Sequence, residues 1–419
     1  MMAAPEIELT LSGLVYGGEA IGRLPDGRAV FTPFALPGEK VLARLLEERP
    51  RFARAELVEI LTPAAGRLQP RCKHFASCGG CHYQHLDYAQ QAAWKAAILR
   101  EQLERIGGIG NPPVQPTVSC PQPWNYRNHV QFQLTPDGKL GYHKGRSEQV
   151  FAVQECHLPE ATLNAIWPRL ELEPIPGLER VGLRLGAGEE VQLILESSSL
   201  ETPELSIEEL PVSAAHLSPA GELVLAGSAY TFMQVLGRTW RVSAGSFFQV
   251  NTQMAARLVE RLLERLDLSA RTTLLELYCG VGLFSACLAP SVGRLVGVEA
   301  SPSACDDFAY NLDEFDHVEL YEAPVEQALP ALNIRPDIVL VDPPRAGLGR
   351  GVLESILALR PERLAYISCD PATLARDLRS LCDGGYRLHE VQPVDMFPQT
   401  YHIEVVATLE LAEKQEPRA

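Results

Sequence analysis

Short apolar runs separated by glycine and proline turns fill the first sixty residues. Leu9–Leu11, Ala29–Phe31, Lys40–Leu45 and Ala55–Ile60 alternate with Gly17-Gly18, Pro25-Asp26-Gly27 and Pro37-Gly38. That rhythm predicts several short strands closed into a small OB-like β-barrel. The period lengthens between residues 87 and 107, where Ala92, Ala96, Leu99, Leu103 and Ile106 share one helical face and Gly107-Gly108 ends it. An alanine-rich stripe of that length needs a broad partner, so the helix is expected to pack on the C-terminal part of the chain. Hairpins follow. Val130–Leu134 and Leu140–Tyr142 flank Asp137-Gly138, and Val181–Leu185 and Val191–Leu195 flank Gly186-Ala187-Gly188. From Arg241 the pattern becomes α/β, with an amphipathic helix over Met254–Leu266 and apolar runs at Thr273–Tyr278, Arg294–Val298, Asp337–Val341 and from Leu364. Short continuous apolar runs suit the buried strands of a parallel sheet. The reading gives a barrel over 1–62, a central α+β region over 63–240 and an α/β domain over 241–419.

Composition narrows this picture. A chain of 419 residues with 46% hydrophobic and 21% charged residues is ordinary globular material for two or three domains. No run approaches the length of a membrane span, and the start lacks a basic, apolar leader, so no membrane partner and a cytoplasmic location are expected. Ten cysteines in such a chain point to metal or catalytic roles before disulfides. The net charge of −16 speaks against nonspecific binding to nucleic acid. It is uneven, however. Lys40–Lys73 carries eight Lys/Arg against four Glu, Arg127–Arg146 four against one, and Glu171–Glu209 ten acids against two arginines. Two basic segments on an acidic body can guide a polyanion to one face, or can be solvated surface charge.

Two groups of cysteines carry chemistry. Cys72, Cys78 and Cys81 fall within ten residues, with Gly79-Gly80 letting the backbone wrap a metal. A fourth ligand would come from Cys120 or Cys156. A tight trio meeting one distant thiol favours a [4Fe–4S] cluster, while His74, His82 and His85 keep zinc open. Nearby, Trp124-Asn125-Tyr126-Arg127-Asn128 mixes aromatics and a cation, as base-stacking surfaces do and as packed aromatic turns also do. The second place is Ser368-Cys369-Asp370-Pro371. Asp370 reads as an N-cap and Pro371 as the first helical residue, so Cys369 sits between a strand's carboxyl end and a helix's amino end. Most lone cysteines are buried structural residues. At this edge, where α/β sheets bind ligands, the helix dipole is expected to favour a thiolate nucleophile.

The rest of the α/β domain offers that thiol a reaction. Glu276 precedes the turn Cys279-Gly280-Val281-Gly282, and no glycine follows at Ser285, where a dinucleotide fingerprint needs one. The next strand ends in Glu299, placed to accept ribose hydroxyls, and the third ends in Asp342-Pro343-Pro344-Arg345. This is the layout of a class I, Rossmann-like methyltransferase that uses S-adenosyl-L-methionine. Enzymes that methylate exocyclic amines carry an aromatic where Arg345 stands, and a thiol would not help them. A pyrimidine C5 needs one, because thiolate addition at C6 makes C5 nucleophilic.

Several segments carry a family resemblance. Gly13–Gly22 with Pro33–Val41 resembles the TRAM domain, an RNA-binding module. Phe247–Asn251, Glu276–Phe284, Val298-Glu299-Ala300, Asp342–Gly347, Ser368–Thr373 and Asp395–Glu404 together resemble the RNA 5-methyluridine methyltransferases. The barrel and cysteine trio are similar to the ribosomal-RNA members of that family. The resemblance implies that Gln249, Tyr278, Glu299 and Asp342 contact S-adenosyl-L-methionine, that Cys369 is the nucleophile and that Glu404 removes the C5 proton. It implies a [4Fe–4S] cluster on Cys72, Cys78, Cys81 and Cys156, a monomer, and an RNA substrate, with 23S ribosomal RNA ahead of transfer RNA. Asp370 stands where Asn is usual and Gln399 where His is usual, and an acid beside the thiol is expected to oppose its ionisation. A lapsed, noncatalytic RNA-binding protein would be expected to have lost Cys369, Glu404 or Asp342-Pro-Pro. A cytosine-C5 DNA enzyme would place Pro before the cysteine, and a nicotinamide oxidoreductase would have no use for Cys369.

Overall fold

The computed structural model describes residues 5–170, 172, 175, 177–203 and 211–412. Strands β1 (Glu6–Leu14), β2 (Glu19–Arg23), β3 (Ala29–Pro33), β4 (Lys40–Glu48) and β5 (Phe52–Thr62) close into a barrel in the order β1-β2-β3-β5-β4. Strand β2, Glu-Ala-Ile-Gly-Arg, lacks an apolar run of its own. It is built by pairing with β1 and β3 rather than by local pattern. Most arginines of the basic segment there are spent in ion pairs, Arg44 on Glu6 and Glu56, Arg54 on Glu19, and Arg67 on Glu39.

Helix α1 (Tyr88–Arg105) follows, with the Asp87 carboxylate accepting from the Ala89 N–H as its N-cap. Its inner face carries Ile98, Leu99 and Leu103 into one core with the barrel and with the C-terminal sheet. At the centre of that face lies Lys95, fully buried, whose Nζ donates to Asp395 Oδ1 at 2.6 Å and to the Phe397 carbonyl at 3.0 Å. Tyr88 completes the shell by donating to Asp395 Oδ2 at 2.8 Å. A buried ion pair of this kind adds little net stability but strongly penalises any register that separates its partners. It therefore fixes where α1 meets the segment that follows Val394.

The two predicted hairpins merge into one sheet. Strands β6 (His129–Leu134), β7 (Leu140–His143) and β8 (Val150–Ala152), helix α2 (Ala161–Ile166), and strands β9 (Leu178–Leu185), β10 (Val191–Ser197), β11 (Val212–Ser218) and β12 (Gly221–Ala226) form this region. The strand order is β12-β11-β10-β9-β6-β7-β8, and Phe132, Trp167, Leu183 and Leu193 lie in its core.

Hairpin β13 (Tyr230–Val235) and β14 (Arg238–Ser243) lies ahead of the boundary expected near residue 240. Its Met233, Val235, Trp240 and Val242 nevertheless pack into the core of the α/β domain. That domain continues through α3 (Thr252–Arg265), β15 (Thr273–Leu277), α4 (Leu283–Leu288), β16 (Arg294–Glu299), α5 (Pro302–Asn311), β17 (Val318–Glu322) and α6 (Val325–Ala331). It then runs through β18 (Ile338–Val341), α7 (Arg350–Leu359), β19 (Arg363–Ser368), α8 (Pro371–Asp383), β20 (Tyr386–Val394) and β21 (Glu404–Leu411). The sheet order is β17-β16-β15-β18-β19-β21-β20. The first five strands are parallel, and β21 and β20 close the edge antiparallel. Alternation along the strands fills both faces. Leu275, Val296, Val339 and Tyr366 face α6, α7 and α8, while Leu274, Leu295, Leu340 and Ala365 face α3, α4 and α5. Among the described residues no helix is long and apolar enough to cross a membrane.

Candidate active site

The carboxyl ends of the parallel strands open into a cavity of about 580 Å³. Gln249, Tyr278, Glu299, Asp342, Cys369 and Glu404 all line it, so one cavity unites residues drawn from six separate segments. The sequence placed Tyr278 inside a strand, but β15 ends at Leu277 and Tyr278 takes a left-handed φ of 62°. The chain turns out of the sheet there to begin the glycine loop, and the phenol is delivered to the cavity rim. Gly282 closes the loop at φ 84° as the N-cap of α4, and a Cβ there would stand 2.4 Å from Leu312 Cδ1. Beneath the loop the buried Glu276 accepts from Ser285 Oγ, which gives that non-glycine position a purpose. Burial lifts Glu276 to a pKa of about 8.

Each acid at the rim is held differently. Glu299 accepts from the Gly280 N–H at 2.9 Å and from the Ala300 and Ser301 N–H groups at 2.8 Å, which locks it at the end of β16. Asp342 has no hydrogen-bonded partner for its carboxyl among the described residues, and burial pushes its pKa up to about 7. Glu404 is driven well above the usual carboxylate range, chiefly by burial and then by Asp342, with Arg345 opposing. An acid set that is costly to ionise when the cavity is empty suits a ligand that brings positive charge and hydrogen-bond donors.

Cys369 lies between β19 and α8 as expected, but its thiol is not activated by the helix. Its pKa rises to about 11, first through burial and then through Glu404 and Asp342, with Arg345 opposing. The helix terminus is already occupied. Asp370 Oδ1 accepts from the Ala372 N–H at 3.0 Å and from the Thr373 N–H at 2.9 Å, so those N–H groups are not free for the sulfur. His402 also lines the cavity, and burial together with nearby Arg345 lowers its pKa to about 3. The cation Arg345, read from the sequence only as the residue after two prolines, therefore acts on Cys369, Glu404 and His402 alike. Its position next to Asp342-Pro343-Pro344 was the available signal.

The second cysteine group also gathers. Cys156 raises the pKa of Cys72, Cys78 and Cys81, in each case after the larger effect of burial. Cys156 itself packs with Phe75, Trp124, Tyr126 and Leu158. Among the described residues no group of three or more Cys, His, Asp or Glu side chains is placed to hold a metal ion, so the cluster expected on Cys72, Cys78, Cys81 and Cys156 is not preformed. Cys81 and Cys156 share a small apolar nest, and Cys72 and Cys78 are half-buried. Cys120 lies elsewhere, in the core of the α/β domain against Asn251. His74 Nε2 is taken by the Gln154 N–H at 3.1 Å.

In the Trp124–Asn128 turn Tyr126 and Asn128 are packed inside the fold, while Trp124, Asn125 and Arg127 are half-buried. Tyr126 is buried and donates to the Pro398 carbonyl at 3.0 Å, and Asn128 donates to the Gln249 carbonyl at 3.0 Å. Arg127 lies over the rings of Tyr126 and Phe397, so this turn joins the cysteine nest to the cavity wall. Aromatic and amide groups with neighbours to satisfy them are more stable buried here than offered to solvent.

Comparisons with known proteins agree with this geometry. Residues 5–58 match the TRAM domain model, and residues 230–412 match the model described as tRNA (Uracil-5-)-methyltransferase. An uncharacterised RNA methyltransferase of Streptomyces coelicolor is 35% identical over 99% of this chain and 94% of its own length. A Nostoc protein of the same description is 34% identical over 97% of this chain and 96% of its own. Among solved structures, the Pyrococcus abyssi tRNA (uracil-54, C5)-methyltransferase in complex with S-adenosyl-L-homocysteine superposes with a TM-score of 0.73 at 23% identity. It covers 96% of this chain and 100% of that one, which shows a shared fold. With near-complete relatives above 30% identity and these two domain matches, the chain belongs to the RNA uracil-5-methyltransferase family with an N-terminal TRAM domain, and it is an RNA uracil-C5 methyltransferase.

Proposed function

We propose that the chain methylates C5 of a uridine in 23S ribosomal RNA through a transient covalent bond between Cys369 and C6 of the base. The observation that carries this reading is the meeting of Cys369 and Glu404 in one cavity with Gln249, Tyr278, Glu299 and Asp342. S-adenosyl-L-methionine, when bound, supplies an electrophilic methyl group. The four rim residues hold it, Glu299 from an already fixed position and Asp342 through a carboxyl left without a partner. Cys369 Sγ, once its proton has passed to solvent, would add to C6 as the electron pair moves through C5 toward O4, and C5 would then take the methyl group as the bond from that methyl to the cofactor's sulfur breaks and S-adenosyl-L-homocysteine is released. Glu404 then takes the C5 proton, the C5–C6 double bond reforms and the thiolate leaves. His402, with its pKa near 3, is a much weaker base for that step. Cys72, Cys78, Cys81 and Cys156 are the proposed ligands of a [4Fe–4S] cluster, which would clamp the 72–81 loop to the turn at 154–158. The same reading makes the enzyme a cytoplasmic monomer.

The full-length fold shared with the archaeal enzyme, which is named for transfer RNA, supports transfer RNA as the second reading. Mass-spectrometric mapping of 5-methyluridine in separated ribosomal and transfer RNA, from cells with and without the gene, tests both. One ribosomal site should vanish with the gene, and loss confined to transfer RNA would replace the first reading by the second.

Asp342 gives a pH signature. Below about pH 7 its carboxyl is largely protonated in the empty cavity, and a cationic ligand favours the ionised form. Binding of S-adenosyl-L-methionine should therefore take protons off the protein and tighten as pH rises. The expected gain is about tenfold between pH 6 and 8, levelling off above. Calorimetric titration should show this slope in the native protein, and Asp342→Asn should bind more weakly with a flatter profile. An unchanged slope in that variant would remove Asp342 from the contact set.

A further inference from the structure

The barrel reaches the α/β domain by one side-chain hydrogen bond, and it lands beside the nucleophile. Tyr16 lies in the turn between β1 and β2, and its hydroxyl donates to Asp370 Oδ2 at 3.1 Å across 354 residues of sequence. Among the described residues no other barrel side chain is hydrogen-bonded to that domain. The turn is seated firmly. Gly17 and Gly18 adopt φ values of 103° and 84°, and a Cβ on Gly18 would lie 2.8 Å from His82 Cβ. The Tyr16 ring meets Tyr401 edge-on at 5.4 Å, and Tyr401 in turn packs on His402 at 4.4 Å. The phenol thus reaches Asp370 through a wall shared with the catalytic cavity.

Asp370 is fully engaged as a result. One carboxylate oxygen caps α8 through the Ala372 and Thr373 N–H groups, and the other receives Tyr16. Its backbone is pinned as well, because the Asp370 N–H donates to Ser368 Oγ at 3.2 Å and that hydroxyl donates to the Asp370 carbonyl at 3.1 Å. Cys369 is the residue enclosed by this loop. We propose that Tyr16 is a positioning residue for Cys369: by binding Asp370 it holds the thiol-bearing turn in place and offsets the charge of the carboxylate on the adjacent residue, and so ties the barrel to the nucleophile. The proposal rests on the reading of Cys369 as the nucleophile. The other charged groups facing this place are Glu404 on β21, Asp342 and Arg345 after β18, and Arg376 on α8. None of them changes in the experiment.

The test reads the sulfur directly. Free enzyme is treated with iodoacetamide from pH 7 to 10, and alkylation is followed by mass spectrometry on the tryptic peptide Leu364–Arg376, in which Cys369 is the only cysteine. Tyr16→Phe should slow alkylation at pH 8 by about threefold, equivalent to half a pKa unit upward, because Asp370 loses a donor and its charge bears more fully on the thiol. Asp370→Asn should react faster than the native enzyme, and adding Tyr16→Phe to it should change little. Native-like or faster alkylation in Tyr16→Phe would overturn the proposal, as would an undiminished threefold loss in the Asp370→Asn background. Methylation kinetics give the second readout. Tyr16→Phe should lower kcat with RNA KM nearly constant, whereas a rise in KM alone would make Tyr16 an RNA contact and overturn the positioning role. Retained methylation in Cys369→Ala would sink the nucleophile assignment separately, whatever the alkylation result.

Discussion

A Glu404→Gln enzyme is expected to become trapped on its RNA. Once C5 has received the methyl group it is saturated and still carries its proton, and Cys369 cannot leave C6 until that proton is removed. Glutamine fills the space of Glu404 but cannot take the proton. Addition and methyl transfer should therefore proceed and elimination should stall. A protein–RNA adduct that survives denaturing electrophoresis should accumulate with one methyl group per adduct. Turnover should fall by about 10²–10⁴-fold, the range of a lost general base. Cys369→Ala should form no adduct and transfer no methyl group. His402→Gln should turn over without trapping, since burial and Arg345 already make that imidazole a poor base. Normal turnover in Glu404→Gln, or trapping in His402→Gln, would mean that the base has been misassigned.

Replacing Cys156 by Ser should strip the protein of iron, while replacing Cys120 should not. Native protein purified without oxygen should be brown and hold about four irons, and exposure to air should bleach it. Cys156 carries the distinction because it influences all three thiols of the Cys72–Cys81 loop, whereas Cys120 is enclosed by Tyr88 and Asn251 in another core. Without metal all four thiols are held protonated, since burial raises their pKa values, that of Cys81 to about 12. A metal reverses this by binding the thiolates, and binding is then coupled to the stability of the fold. Cys156→Ser should accordingly also lower the unfolding temperature relative to Cys120→Ser. Colourless protein with stoichiometric zinc would reject the cluster, and iron retained in Cys156→Ser would reassign its fourth ligand.

Most of the α/β domain was legible because its signals are local. Continuous apolar runs, the Gly280–Gly282 turn, and Asp370-Pro371 as cap and first helical residue each specify geometry through neighbours one to four positions away. The acids that end the strands were legible for the same reason. Strand β2 was not, since Glu19–Arg23 pairs with what lies beside it and has no periodicity to display. Nor was the allegiance of the hairpin at Tyr230–Ser243, whose Trp240 finds its core only once α3 and β15 exist.

The candidate site divides in the same way. The sequence offered Cys369, Glu299 and Asp342 as candidates through their chemistry and their places at the ends of strands, which are local properties, and offered Glu404 through the family resemblance. Only the tertiary structure could say how those groups behave. Burial raises Cys369, Asp342 and Glu404 together, while Arg345 opposes the rise at Cys369 and Glu404. The helix N–H groups expected to favour the thiolate are taken by Asp370, and the Asp370 carboxylate expected to oppose it is bound by α8 and Tyr16. Those partners are separated by up to 354 residues, and desolvation depends on every atom packed around a group. A linear reading can name the ionisable groups, but their energies are set by neighbours that only folding supplies.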